Sequence, residues 1–312
     1  MWRLNWVIGC QKGREVLKRY LQAEAEYLES LDIQTELTET QSGTSWFVDC
    51  TFKHNGNGEP AALVKICRRQ LAAAVARTIV AVWEPFLIRK TLEYNYSYLE
   101  SGERAQICRR AQRLAADRRR QGQLFAAAGQ AAAGSGQPDG EILVRVQEHL
   151  REYRYLNLEG FVTFRLGDYV EGLYRLVDES VEEFVSEREY REFVRLLRYF
   201  VAVQEPRTRW VQLFIKPGEI FEVRDDAGNA MDDQYLRNLV EQLTDTEVSH
   251  ADLLVSILIT LAPEKITLHC PSERLEEEAV RTVRDVFYRR VKVCTGCSEC
   301  SELYAEYSRH DG

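Results

Sequence analysis

The stretch KITLHCPSERLEEEAVRTVRDVFYRRVKVCTGCSEC, residues 265–300, decides the fold of the second half of the chain. Its apolar and β-branched residues predict a strand over 265–270, and the periodic apolar residues that follow predict a helix over 272–287. A second strand is predicted over 290–294. A strand, a helix and a strand in this order form a βαβ unit with parallel strands. The carboxyl ends of both strands therefore lie on one edge of the sheet.

Three cysteines lie at the end of this stretch with the spacing of a metal site. Cys294, Cys297 and Cys300 are separated by two residues each, which lets neighbouring thiolates turn toward one ion. Cys270 ends the first strand on the same sheet edge and is predicted to be the fourth ligand. His269 is the alternative, but it belongs to the strand and should point to the opposite face from Cys270.

Zinc and an iron–sulfur cluster are the two metal groups that such cysteines suggest. A ferredoxin-type run needs a fourth cysteine where this chain has Tyr304, so that motif is broken. Zinc is the favoured metal because structural zinc tolerates looser arrangements, although it more often uses separated cysteine pairs. Two alternatives without metal stay open, namely three reduced surface thiols or a C-x2-C redox pair.

Composition limits the class of protein. The 312 residues include 41 Lys and Arg against 49 Asp and Glu, a net charge of −8, and 45% are hydrophobic. These values exclude a disordered chain, and the net charge argues against a protein that coats nucleic acid with its whole surface. The most apolar windows, 71–88 and 253–262, are interrupted or short, so buried helices are expected instead of membrane spans.

The cysteine distribution predicts a reducing, cytoplasmic compartment. Cys10, Cys50, Cys67 and Cys108 are scattered singly through the first part of the chain. Isolated thiols in apolar surroundings are usually buried small hydrophobic residues, so a framework of disulfides is not expected.

The first half of the chain predicts a small sheet covered by one helix. Strands are expected over 4–8, 33–38 and 45–52, and a helix over 13–31. Residues 61–123 are helical and rich in alanine, with a kink or break near Pro85. The segment 125–139, rich in Ala and Gly, is the best linker, so the predicted lobes are 1–135 and 141–312.

The second lobe is predicted to be mostly helical. Helices are expected over 141–155, 168–203 with a break near 186–189, 232–243 and 249–261. Two strands, 210–215 and 219–223, flank a tight turn at 216–218. Together the two lobes give an α+β fold that is mostly helical, with a hairpin and the βαβ unit in the second lobe.

An arginine-rich helix in the first lobe is a candidate nucleic-acid face. Residues 103–120 carry seven arginines against two acidic residues, a net charge of +5. The candidate contacts within the Arg104–Arg120 face are Arg109, Arg110, Arg113, Arg118, Arg119 and Arg120. A solvated helix face is the favoured interpretation, because no aromatic residues interleave with these arginines to stack bases.

The sequence contains no complete catalytic motif. The chain has no P-loop, no dinucleotide-binding glycine motif and no nucleophile elbow. The sequence therefore favours a binding or scaffold protein over an enzyme. Another protein is the expected partner, and nucleic acid is the alternative.

The second lobe resembles a known family. EGFVTFRLGDY at 159–169, EREYREFVRLLRYFV at 187–201, DLL at 252–254 and APEKI at 262–266 are similar to the YtxC-like family. That family occurs in endospore-forming bacteria, and the resemblance, which covers roughly 141–300, implies a role in sporulation. It implies no biochemical activity and no catalytic residues.

The matched segments are rich in aromatic side chains. Six of them are interpreted as core: Phe161, Phe164, Tyr169, Phe193, Tyr199 and Phe200. The alternative is that Phe161–Tyr169 and the face with Arg195 and Arg198 form a recognition surface.

Overall fold

The protein divides into two compact units, Met1–Val185 (unit 1) and Ser186–Gly312 (unit 2). The structure is a computed structural model. It describes residues 2–54, 60–121, 123–124, 140–216, 221–231, 250–271, 274–294 and 296–301. Helices predominate and two mixed sheets are present, so the predicted α+β, mostly helical fold class is confirmed.

Unit 1 contains a four-stranded sheet. Its strands are β1 (Trp2–Cys10), β2 (Ile33–Ser42), β3 (Ser45–His54) and β4 (Tyr155–Asn157), in the order β2-β3-β1-β4. The three N-terminal strands are antiparallel, and helix α1 (Arg14–Glu29) lies between β1 and β2 in the chain, as predicted. Strand β4, which was not predicted, pairs parallel to β1.

Further helices lie wholly within unit 1 among the described residues. They are α2 (Pro60–Thr78), a π-helix (Ile79–Trp83), α3 (Glu84–Asn95), α4 (Ser101–Arg120), α5 (Gly140–Glu152) and α6 (Leu158–Arg165). The prediction of a kink or break near Pro85 is only partly right: the helix does not end there, but a π-helical turn, Ile79–Trp83, directly precedes α3, and Pro85 has no N–H to donate to that turn.

The helical stretch Pro60–Asn95 supplies much of the core of unit 1. By length and composition alone it could cross a membrane, and 56% of its apolar window is buried inside the protein. Leu71, Val75 and Ile79 are fully or almost fully buried in the unit 1 core. This burial is that of a core helix, as expected for residues 71–88.

The division between the units differs from the predicted lobe boundary. The predicted linker, 125–139, lies outside the described residues. Residues after it, as far as Val185, belong to unit 1. They do so because β4 completes the first sheet and the indole N–H of Trp6 donates to the carbonyl of Leu150 at 3.1 Å.

Helix α7 (Gly167–Val203) runs for 37 residues, so the predicted break near 186–189 is wrong. Val181 and Phe184 are buried in the unit 1 core, whereas Val194 and Val201 are buried in the core of unit 2. The apolar spacing therefore lapses where the helix passes from one core to the other, although the backbone stays helical.

Unit 2 contains the predicted hairpin and βαβ unit. Its strands and helices are β5 (Thr208–Ile215), β6 (Phe221–Arg224), α8 (His250–Leu261), β7 (Pro263–His269), α9 (Glu278–Val286) and β8 (Val291–Val293). The strand order is β6-β5-β7-β8, with β5 antiparallel to β6 and parallel to β7, and β7 parallel to β8. Most of the predicted turn at 216–218 and the whole predicted helix over 232–243 lie outside the described residues.

The interpretation of the matched aromatic residues as core is right for only two of them. Phe161 and Tyr169 are buried. The other four are exposed to solvent: Phe164, Phe193, Tyr199 and Phe200. The last three lie on the part of α7 that belongs to unit 2, where a different set of residues, including Val194 and Val201, faces the core. Their apolar spacing therefore indicated a second apolar face of the helix.

Candidate metal centre

The carboxyl edge of the unit 2 sheet places a histidine beside a cysteine. His269 is the last residue of β7, and Cys294 directly follows β8. Leu268 pairs with Val293 in the parallel ladder, and the N–H of Cys294 donates to the carbonyl of Leu268 at 2.8 Å. His269 and Cys294 therefore come one residue beyond this pair and lie on the same face of the sheet.

The ring of His269 is held by a stack of side chains. Phe214, which pairs with His269 in the ladder between β5 and β7, is fully buried and lies parallel to the imidazole at 4.1 Å between ring centroids. The guanidinium of Arg224 lies over Phe214 at 4.4 Å. Burial lowers the pKa of His269, which favours the neutral imidazole that binds metals.

The cysteines lie in a loop that directs backbone N–H groups at sulfur. Gly296 has a φ of 119°, a conformation that favours glycine, and its N–H donates to Sγ of Cys294 at 3.5 Å. A helical turn begins at Ser298, and the N–H of Cys300 donates to Sγ of Cys297 at 3.4 Å. Such bonds stabilise a thiolate, the form that binds metals.

The pKa values of two thiols are shifted in opposite directions. The N–H of Cys300 lowers the pKa of Cys297, whereas burial raises the pKa of Cys300 to about 12. Without a cation, Cys297 is thus easier to deprotonate than Cys300. A bound cation would favour the thiolate form at all three cysteines.

Four potential ligand atoms converge at one point. The nitrogen and sulfur atoms offered by His269, Cys294, Cys297 and Cys300 all lie within 4.8 Å of one another. Nδ1 of His269 is 3.1 Å from Sγ of Cys300 and 3.5 Å from Sγ of Cys297, and the sulfurs of Cys300 and Cys294 are 3.9 Å apart. Tetrahedral zinc with ordinary bond lengths separates two sulfurs by about 3.8 Å and a nitrogen from a sulfur by about 3.6 Å. The arrangement therefore fits the ligand shell of a single ion.

Cys270, the predicted fourth ligand, lies elsewhere. Its side chain is buried in the apolar core of unit 2, and its Sγ donates to the carbonyl of Pro271 at 3.3 Å. The structure thus brings together three of the four predicted ligands and places His269 in the position predicted for Cys270. The reason is strand register, because residue 269 is level with residue 294 and residue 270 points to the other face.

The arginine-rich helix α4 has much of its charge paired within unit 1. Four of the six candidate arginines contact carboxylates: Arg110 to Glu183 at 3.4 Å, Arg118 to Glu179 at 2.7 Å, Arg119 to Glu84, and Arg120 to Asp117 at 3.2 Å. Arg109 and Arg113 are exposed. These contacts favour a role of the helix in packing and solvation over a role in binding phosphates of nucleic acid.

The sequence profile of the YtxC-like family matches residues 69–292. The chain belongs to this family. The YtxC-like match begins well before residue 141, where the resemblance noted above begins, so it includes parts of both units. It includes His269 and ends two residues before Cys294.

The chain is similar to a curated YtxC-like protein of Bacillus subtilis. The protein of Bacillus subtilis (strain 168) named "Uncharacterized protein YtxC" is 27% identical over 158 residues. The alignment covers 49% of this chain and 53% of that protein, so the two match over about half the length of each. No solved structure matches the chain. The relative's name states no biochemical activity.

Proposed function

We propose that this YtxC-like protein binds one zinc ion through His269, Cys294, Cys297 and Cys300, and that the ion has a structural role. The observation that carries the proposal is the convergence of one nitrogen and three sulfur atoms within 4.8 Å. Three thiolates and one imidazole form a common ligand set of structural zinc sites.

A structural role follows from the number of protein ligands. Four protein ligands complete a tetrahedral shell, whereas catalytic zinc keeps one position for water or substrate. The ion would join the end of β7, the end of β8 and the helical turn that begins at Ser298. These segments are short, and β8 has only three residues, so a metal cross-link adds stability where packing is limited.

Zinc fits the ligand spacing better than an iron–sulfur cluster or a disulfide. In a cluster, several irons and bridging sulfides separate the ligand sulfurs, whereas here the ligand atoms crowd around one point. A disulfide between Cys294 and Cys300 would need their sulfurs to move from 3.9 Å to about 2.05 Å. It would also consume two of the four metal ligands.

The proposed setting is the cytoplasm of an endospore-forming bacterium, where the protein acts in sporulation as a non-catalytic binding or scaffold protein. The sporulation role is what the resemblance of the second lobe to the YtxC-like family implies. The buried thiols support a reducing compartment: burial raises the pKa of Cys10 and Cys67 to about 11, which keeps them as neutral apolar groups.

Elemental analysis of matched variants tests the proposal. We expect one zinc per chain in the unmodified protein purified under reducing conditions and dialysed against metal-free buffer. Cys297→Ser and His269→Ala should lose most of it. Cys270→Ser, the matched control, should retain it. Zinc-free unmodified protein would contradict the proposal, and so would zinc that is lost from Cys270→Ser but retained by His269→Ala.

A further inference from the structure

The C-terminal part of α7 has an apolar face exposed to solvent. Its five large side chains recur at spacings of three and four residues, and their exposed fractions are 43% for Phe193, 55% for Leu196, 64% for Tyr199, 50% for Phe200 and 61% for Val203. With 3.6 residues per turn, they share a face about 120° wide. We call these five residues the apolar face.

The apolar face is large for an exposed surface. Aromatic side chains have areas of roughly 150–250 Å² each, and about half of each side chain here is exposed. The five together therefore present on the order of several hundred Å², which is the size of the largest apolar patches on monomeric proteins. Patches of this size commonly mark interaction sites.

A pocket adjoins the apolar face and shares Tyr199 with it. The pocket has a volume of about 420 Å³ and lies between the C-terminal end of α7 and the residues that follow α9. Val286, Phe287 and Tyr288 contribute apolar and aromatic surface to it, and Arg198, Arg289 and Arg290 contribute positive charge. The apolar face and the pocket thus adjoin at Tyr199 in unit 2.

The arginines of the pocket contact rings and carbonyl groups. The guanidinium groups of Arg198 and Arg289 lie 4.7 and 5.3 Å from the ring centroid of Tyr288. Arg198 also donates to the carbonyl of Asp285, and Arg290 donates to the carbonyls of Val201 and Pro263. None of these contacts neutralises the positive charge, and no carboxylate lines the pocket among the described residues. The pocket thus favours an anionic group beside an apolar one.

We propose that this surface binds an amphipathic helical segment of a partner protein, with apolar side chains on the apolar face and carboxylates in the pocket. The arginines of the pocket and the apolar face beside them argue for this occupant, since an amphipathic helix offers both carboxylates and an apolar stripe. A membrane surface fits less well, because Glu189 and Glu192 lie on α7 within four residues before Phe193 and would repel anionic lipid headgroups.

Two synthetic helical peptides test the proposal with the whole 312-residue chain. Both are fluorescently labelled 18-residue helices with leucine at the same positions; one has glutamate on its polar face and the other has lysine. Fluorescence anisotropy should show saturable binding of the glutamate peptide and at least tenfold weaker binding of the lysine peptide. Absence of binding by the glutamate peptide, or equal binding of both peptides, would overturn the proposal.

Matched variants locate the binding surface. Leu196→Glu and Arg289→Glu should each weaken binding of the glutamate peptide at least tenfold, whereas Arg113→Glu, an exposed control in unit 1, should leave it unchanged. Circular dichroism identifies a variant that has not folded. Unchanged binding by folded Leu196→Glu would overturn the proposal. A membrane or a second copy of the chain could occupy the surface instead. The proposal would be overturned if the protein bound phosphatidylglycerol vesicles, or showed a doubled mass in light scattering, and Leu196→Glu abolished that binding or that dimer.

Discussion

Replacement of Arg119 by methionine should destabilise unit 1 far more than replacement of any exposed arginine of α4. Arg119 pairs with Glu84, and their side chains are only 11% and 6% exposed. The hydroxyl of fully buried Tyr169 donates to the same carboxylate at 2.5 Å. Methionine fills similar space but leaves the charge of Glu84 buried without its cation, which costs about 3–5 kcal/mol.

Two further variants calibrate this magnitude. Tyr169→Phe removes one hydrogen bond to a charged group and should cost about 1.5–3 kcal/mol. Arg113→Met changes an exposed arginine of the same helix and should stay within about 0.5 kcal/mol of the unmodified protein. Since Arg119 and Tyr169 both act on Glu84, the double variant should deviate from additivity.

Urea unfolding followed by tryptophan fluorescence is a suitable assay. Four of the five tryptophans, Trp2, Trp6, Trp46 and Trp83, lie in unit 1, and Trp210 lies in unit 2. The signal therefore reports mainly on the unit that contains Arg119. If the free energies of unfolding of Arg119→Met and Arg113→Met differed by less than about 1 kcal/mol, this would refute the reasoning that α4 uses its arginines for packing.

Three other predictions follow from the contacts in each unit. A strong zinc chelator should accelerate backbone hydrogen exchange in residues 263–271 and 291–301 and leave 60–95 unchanged, because the ion holds only the former; uniform acceleration would contradict this. The protein should be retained weakly on heparin and released by about 0.15 M salt, since four of the six candidate arginines contact carboxylates; retention at higher salt that Arg109→Ala weakens would argue for the nucleic-acid face. The side-chain hydrogen bond from Arg145 lowers the pKa of Asp168 in the folded protein. The pair of Arg145 and Asp168 therefore stabilises the fold at any pH above the unfolded-state pKa of about 3.9. This stabilisation is lost as the pH falls through the lower folded-state pKa. Asp168→Asn should therefore unfold more easily in urea at pH 7, with a difference from the unmodified protein that shrinks below about pH 4; a difference independent of pH would contradict this.

Local sequence patterns predicted the order of elements around the candidate site. The order strand, helix, strand was sufficient to predict the parallel pair β7 and β8, because the handedness and connection of βαβ units leave few alternatives. The three-residue spacing of Cys294, Cys297 and Cys300 was likewise sufficient to predict that their side chains lie close together. Both signals depend on residues that are near in sequence.

The register of strands β7 and β8 could not be predicted from local sequence patterns. The choice between His269 and Cys270 depends on which residue of β7 lies level with Cys294, and side chains reverse face with each residue along a strand. The ladder sets Leu268 beside Val293, which selects His269. Pairing the apolar residues Leu268 and Val293 as ladder partners leads to His269 as the ligand.

Two features could not be predicted from the sequence, for different physical reasons. Strand β4 has three residues, too few to show an alternating pattern, and it forms through pairing with the distant β1. On α7 the apolar residues face two different surroundings, the unit 2 core at Val194 and Val201 and solvent at Tyr199 and Phe200. Periodicity counts apolar residues but does not tell a core face from a binding face.

X-ray absorption at the zinc K-edge tests the central claim most directly, because it measures the ligand shell of the ion in the unmodified protein. The account predicts a first shell of three sulfurs at about 2.3 Å and one nitrogen at about 2.0–2.1 Å, from Cys294, Cys297, Cys300 and His269. A shell of four sulfurs would restore Cys270 as the fourth ligand and contradict the geometry described here. A shell of oxygen and nitrogen alone would place the metal away from these cysteines.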